Sequence, residues 1–294
     1  MGKVRFVVQS SRSCFRKWQS APRMLTLLGM IACFTIIYAV PFAENAKAQG
    51  ETLQCAEIFI AMMNWRFTML LFSTAILLLF GDLPVIEPFT ANTLIRGTRR
   101  SWITSQILYV AATSLIMAAF IFVITVLVAI PNINFSDDWS RPVKLLTSSG
   151  RIAISPERMK LPLPKSIVAD YSPWQAFGHS FTFFFLMGCF YGLASLTLRM
   201  KLRSASFVLL MIVNAVSWAA GMFARSDAGY AILSMISIHY HASLYTHDAV
   251  TANSMLPSLG TSYAILVCSA CVLMVLAAML VKHYDYVQME GEQP

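Results

Sequence analysis

The sequence predicts an all-α polytopic membrane protein with six transmembrane helices and both termini cytoplasmic. Three observations carry this. The 294 residues are 57% hydrophobic and only 12% charged, with a mean hydropathy of +0.64, whereas soluble chains carry about 25% charge. The apolar residues are gathered into runs of the ~20 residues that a helix needs to cross the hydrocarbon core. The basic residues gather at the ends of those runs, where they set topology and meet lipid headgroups.

The six runs are Pro22–Phe42, Glu57–Phe80, Trp102–Ile130, Trp174–Leu198, Ala205–Phe223 and Leu259–Val281. Inside lipid each must satisfy its own backbone polar groups, which makes each a helix. They form a single transmembrane domain over residues 1–294. The first run follows a basic stretch and precedes small residues at "AKAQ", as in a signal peptide. It is long enough to span and further spans follow, so it reads as an uncleaved first helix.

Orientation follows from Lys and Arg. Residues 1–21 together with Arg23, the 81–101 connector, the "RMKLR" connector and Lys282 hold thirteen of the 22 basic residues. The opposite side holds eight, and Arg66 lies within a run. The bias places both ends in the cytoplasm.

The connectors differ in character. Residues 131–172 form a small external loop domain. Within it "VKLLTSSGRIAIS" has two short β-prone runs around "SSG", which predicts a hairpin. Residues 226–258 contain "AGYAILSMISI", apolar but too short to cross. They predict an external or re-entrant segment, a helical hairpin dipping back into the outer leaflet between spans five and six.

The net charge of +8 does not form a basic stripe interleaved with aromatics, so nucleic acid is not an expected partner. Of six cysteines, Cys268 and Cys271 have CxxC spacing, but within a span that supplies no polar support for a metal or redox centre. They read as small apolar residues facing neighbours. Cys55 reads as external.

Catalytic motifs are absent: no G-x-S-x-G, H-E-x-x-H, S-x-x-K or phosphate-cradling G-x-x-x-x-G-K-[ST]. The chain therefore does not read as an enzyme, and any ATP use belongs to another chain. His239, His241 and His247 are weak metal candidates. Imidazoles suit zinc or copper, but on a helix positions two apart diverge. His179 reads as hydrogen-bonded inside the bundle.

Asn64 and Arg66 lie about two turns inside the second run. An ionisable residue at such depth is costly and points to function. Two readings stand: the guanidinium snorkels to the outer headgroups, or it faces the bundle and touches an anionic or peptide substrate. Gln106, Gln175 and Asn214 are the other polar candidates for a substrate path, with interhelical hydrogen bonding as their alternative role.

The segment "GDLPVIEPFTANTLIRGTRRSWITSQ" stands between the second and third runs. Pro88, after Glu87, can open a short helix. Ala91, Leu94, Ile95, Thr98 and Trp102 then recur at helical spacing as one mostly apolar stripe, with Arg96, Arg99 and Arg100 beside it. This is either a topology anchor or a rigid cytoplasmic elbow that receives a partner's motion.

With these features the chain resembles the membrane subunits of type-2 ABC transporters, in a small bacterial subgroup with the ATPase on a separate chain. The features are the six spans, the N-terminal "VRFVVQSSRSCFRKW", the connector "EPFTANTLIRGTRRSW" and the segment "AGYAILSMISIHYHASLY". The resemblance implies a permease in the bacterial cell membrane, with residues 1–21 as a cytoplasmic amphipathic helix. Residues 81–101 would be a coupling segment. Glu87, Leu94, Ile95, Arg96, Arg99, Arg100 and Trp102 would meet an ABC-type ATPase that carries the ATP and Mg. A second permease copy or a related permease would complete the path. Two other classes remain: a non-transporting membrane scaffold or assembly subunit, and a metal-dependent membrane enzyme built on the three histidines.

Overall fold

A computed structural model of the chain describes residues 3–20, 22–85, 98–149, 163, 165–203, 205–223, 227–247 and 256–282. They are mostly helical. Helix α1 (Lys3–Ser20) leads into α2 (Pro22–Ala48), strand β1 (Leu53–Gln54), α3 (Glu57–Met63) and α4 (Arg66–Leu79). After residue 98 come α5 (Arg99–Ala129), strand β2 (Ile133–Asn134), α6 (Arg141–Ser149) and α7 (Lys165–Asp170). The chain continues through α8 (Pro173–Leu202), α9 (Ala205–Phe223), α10 (Asp227–Ile236), α11 (Ile238–Ala242) and α12 (Leu259–Leu280).

Four helices, α2, α5, α8 and α12, are long and apolar enough to cross a membrane. The predicted second span is not one straight helix. It divides into α3 and α4, which meet at 81°. Asn64 turns its side-chain amide onto the Ile60 carbonyl at 2.8 Å, and Trp65 takes an extended backbone (φ −99, ψ 129). The Thr68 hydroxyl donates to the Met62 and Trp65 carbonyls, which also accept Trp65 N and Met69 N. Side chains thus add to the backbone hydrogen bonds that persist around the break and keep its buried carbonyls satisfied.

Helix α8 is the axis of the bundle. Phe183, Phe184, Met187 and Tyr191 are buried against α3, α4, α5 and α12. Within the stretch "FTFFFLMGCFYG", Phe183 and Phe184 are therefore core. Small residues let α5 approach: a Cβ placed on Gly192 would meet Val110 Cγ1 at 2.5 Å and Phe80 Cε2 at 2.8 Å. Helix α1 packs along α5, where Trp18 Nε1 donates to Tyr109 Oη at 2.9 Å.

The predicted hairpin in the 131–172 connector gives way to a helix: Val143, Leu145 and their neighbours form α6. Its entry is set by Ser140, which is anchored to Glu57, and Pro142 sits in the first turn where its missing N–H costs nothing. The rest of the predicted hairpin, from residue 150, lies outside the described residues. Strands β1 and β2 pair in parallel, Leu53 opposite Ile133. Cys55, expected to be external, is buried beside that pair. Cys268 and Cys271 face outward from α12 rather than toward neighbours.

Between α9 and α12 the predicted short helices are present as α10 and α11, separated at Ser237. The Ser237 hydroxyl caps α11 by accepting from Tyr240 N and donates to the Ser217 carbonyl on α9.

Candidate functional site

The 81° break and the α10–α11 turn are brought together. A cavity there is lined by Asn64, Arg66, Met69, Trp218, His239, Tyr240, Ser243, Tyr245 and Thr246. It has about 370 Å³ of empty space including its open mouth. Each side chain arrives for a local reason. Asn64 is the break residue, Arg66 the first residue of α4, and His239 and Tyr240 sit on α11.

Asn64 is fully engaged. Its amide also donates to Ser180 Oγ on α8 at 3.2 Å, and its Oδ1 accepts from Tyr245 N at 3.1 Å and Ser243 Oγ at 3.4 Å. Arg66, half-buried, turns inward. Its Nη2 donates to Tyr240 Oη at 3.2 Å, and its Cζ lies 5.6 Å from the tyrosine ring centroid. Among the described residues no carboxylate pairs with it; the ion pairs there are Arg23–Asp82 and Arg141–Glu51. His239 is held between Ser73 Oγ at 3.0 Å and Ser217 Oγ at 3.1 Å. Its burial pushes the imidazole pKa down to about 4, so it is neutral at physiological pH.

The other predicted path residues lie elsewhere. Gln106 receives Val85 N at 3.1 Å and faces Cys14 Sγ. Gln175 closes a capping box with Ser172 at the start of α8. Asn214 donates to Thr74 Oγ1 at 3.1 Å, joining α9 to α4. The three histidines do not converge. His241 Nδ1 and His247 Nε2 each lie 2.9 Å from Ser262 Oγ, on the opposite side of α11 from the His239 serines. Among the described residues no three metal-ligating side chains come together. His179 is hydrogen-bonded in the bundle, 2.8 Å from Tyr263 Oη.

A second polar assembly grips the chain on both sides of the 86–97 connector. At and just beyond the C-terminal end of α4, three side chains from other helices donate to backbone carbonyls, one of which, Phe80 O, also accepts Leu83 N. Arg23 Nη2 donates to Leu78 O at 2.6 Å while its Nη1 pairs with Asp82 at 2.9 Å. Ser195 Oγ donates to Phe80 O at 2.8 Å, and Arg199 donates to Gly81 O. At the far side, Thr98 and Ser101 form the capping box that starts α5, Arg99 donates to the Lys282 carbonyl after α12, and Trp102 is buried. Glu87, Leu94, Ile95 and Arg96 lie outside the described residues.

Sequence reasoning missed the aromatic and hydroxyl half of the cavity: Trp218, Tyr240, Ser243, Tyr245 and Thr246. Trp218 is on α9, Tyr240 on α11 and the other three in the turn after α11, and only the fold gathers them. It also passed over Glu57, whose acid at the lip of an apolar run was an available signal. No protein-family model, curated protein or solved structure matches the chain.

Proposed function

We propose that the chain is the permease subunit of an ABC-type transporter, moving a substrate across the cell membrane with ATP hydrolysed by a separate chain. In this reading there are six spans, with the α3–α4 pair and α9 as the two that are not simple long helices. Both termini are cytoplasmic, and α10–α11 is a re-entrant hairpin in the outer leaflet.

The observation that carries the reading is the grip on the chain at either side of residues 86–97. Side chains from α2 and α8 hold residues 78–82 before them, and Arg99 ties the start of α5 after them to the end of α12. A push delivered to such a connector is passed to several helices at once. A solvated anchor needs charge at the interface, but it needs no arginines spent on capping carbonyls of a neighbouring helix.

Purification in mild detergent, with identification of the bound chains, tests this. The expected result is an ABC-type ATPase at one copy per permease. A homogeneous preparation without any ATPase, still transporting, overturns it.

A further inference from the structure

We infer that the cavity at the α3–α4 break binds a single oxyanion group, a carboxylate or phosphate, carried on an amphipathic molecule. The case rests on an imbalance of charge and of hydrogen-bonding groups. Among the described residues the lining holds one fixed positive charge, Arg66, and no acid. Several acceptors at and around the cavity are already engaged: Asn64 Oδ1 with Tyr245 and Ser243, and the Ser73 and Ser217 hydroxyls with His239.

Two donors remain unspent. The Trp218 indole N–H is buried with no hydrogen-bond partner, a state that costs free energy unless something accepts from it. The Arg66 guanidinium carries five N–H donors in a planar fork suited to carboxylate and phosphate, and Tyr240 takes one. A third contribution comes from the backbone. Arg66 is the first residue of the 14-residue helix α4, and its N-cap Trp65 provides no side-chain cap. The positive end of that helix therefore opens beside the guanidinium.

The remaining lining includes Met69 and the rings of Tyr240, Tyr245 and Trp218, beside the Ser243 and Thr246 hydroxyls. The apolar members suit an apolar body next to the anionic group. The chemistry is shared by a lipid headgroup and by an amphiphile arriving from solution. Regarding that molecule as cargo rests on the permease reading; the binding itself does not, and its test needs no ATPase.

The test uses the full chain in non-ionic detergent, titrated with decanoate, decyl phosphate, decanol and decyltrimethylammonium, with Kd read by thermophoresis. Decanoate and decyl phosphate are expected to bind at least tenfold tighter than the other two. Arg66→Gln should erase that preference. Trp218→Phe, which keeps the ring and removes only the N–H, should weaken the two anions three- to tenfold and leave decanol unchanged. Equal binding of decanol and decanoate, or an anion preference untouched by both variants, overturns the inference. In lipid nanodiscs, displacement of decyl phosphate by phosphatidylglycerol assigns the oxyanion to a headgroup. An absence of displacement assigns it to a molecule from solution, and both outcomes uphold the site.

Discussion

Ser140 donates twice to the buried carboxylate of Glu57, from its backbone N to Oε1 at 2.6 Å and from its hydroxyl to Oε2 at 2.7 Å. Gln54 N adds a third donor at 3.0 Å. Glu57 opens α3 and Ser140 lies 83 residues away before α6, so this clasp, with the β1–β2 pair, fastens the long connector to the bundle.

Breaking the clasp should show in stability. Ser140→Ala removes one hydrogen bond to the carboxyl group, worth about 1.5–3 kcal/mol if it is charged. Glu57→Ala leaves two buried backbone N–H groups without their acceptor and opens a void, so its loss should be the larger. Thermal unfolding in detergent measures both. An unchanged midpoint for Glu57→Ala would show that the clasp does not hold the connector.

Gly192 controls the approach of α8 to α5. A methyl group there meets a β-branched side chain and a fully buried ring, neither of which can swing aside. Gly192→Ala should cost about 1–3 kcal/mol by overpacking. Gly178→Ala, where a Cβ meets nothing within 4 Å, is the matched control and should be neutral or slightly stabilising. Equal midpoints for the two variants would contradict tight α5–α8 contact.

The connector grip yields a functional prediction under the permease reading. Arg199→Ala removes the donor to Gly81 O while leaving the Arg23 and Ser195 contacts in place. Substrate-stimulated ATPase activity of the assembled complex should fall several-fold, with ATPase still bound. Charge reversal at Arg96 and Arg100 should lower the same stimulation. Unchanged stimulation in the reversal variant, with normal membrane insertion, would leave those arginines as topology anchors.

Much of the long-helix architecture was legible because apolar length is a one-dimensional signal. The runs around α2, α5, α8 and α12 need no tertiary information to be recognised. The break in the second run was not legible. "NWRF" shows two polar residues in an apolar run but not a bend, which depends on Asn64 finding Ile60 O, Ser180 and the Tyr245 backbone at once. Arg66 stood out in sequence by its depth, yet its direction is set by Tyr240, 174 residues away. Gln106 and Gln175 show the converse: polar residues near membrane runs that hold a loop and a helix start. The predicted hairpin failed because β-propensity in "VKLLTSSG" is outweighed by the helix start that Ser140 and Pro142 provide.

His239 gives a prediction in pH. Both ring nitrogens face serine hydroxyls within 3.1 Å, and Arg66 and Tyr240 line the same cavity. A neutral ring satisfies both serines, whereas a second positive charge beside Arg66 would be buried and unpaired. Burial accordingly lowers the folded-state pKa to about 4, below the ~6.5 of an unperturbed histidine. His241 shifts in the same direction, chiefly through burial. The unfolded chain therefore binds protons that the folded chain refuses. For His239 the stabilising contribution is complete above about pH 6.5 and is lost as pH falls toward 4, by up to about 1.4 kcal/mol per pH unit. The thermal midpoint should hold steady between pH 8 and 7 and decline below 6.5. His239→Gln, which keeps a donor and an acceptor but cannot titrate, should flatten part of that decline. A decline of equal slope in the variant would place the proton uptake at other groups.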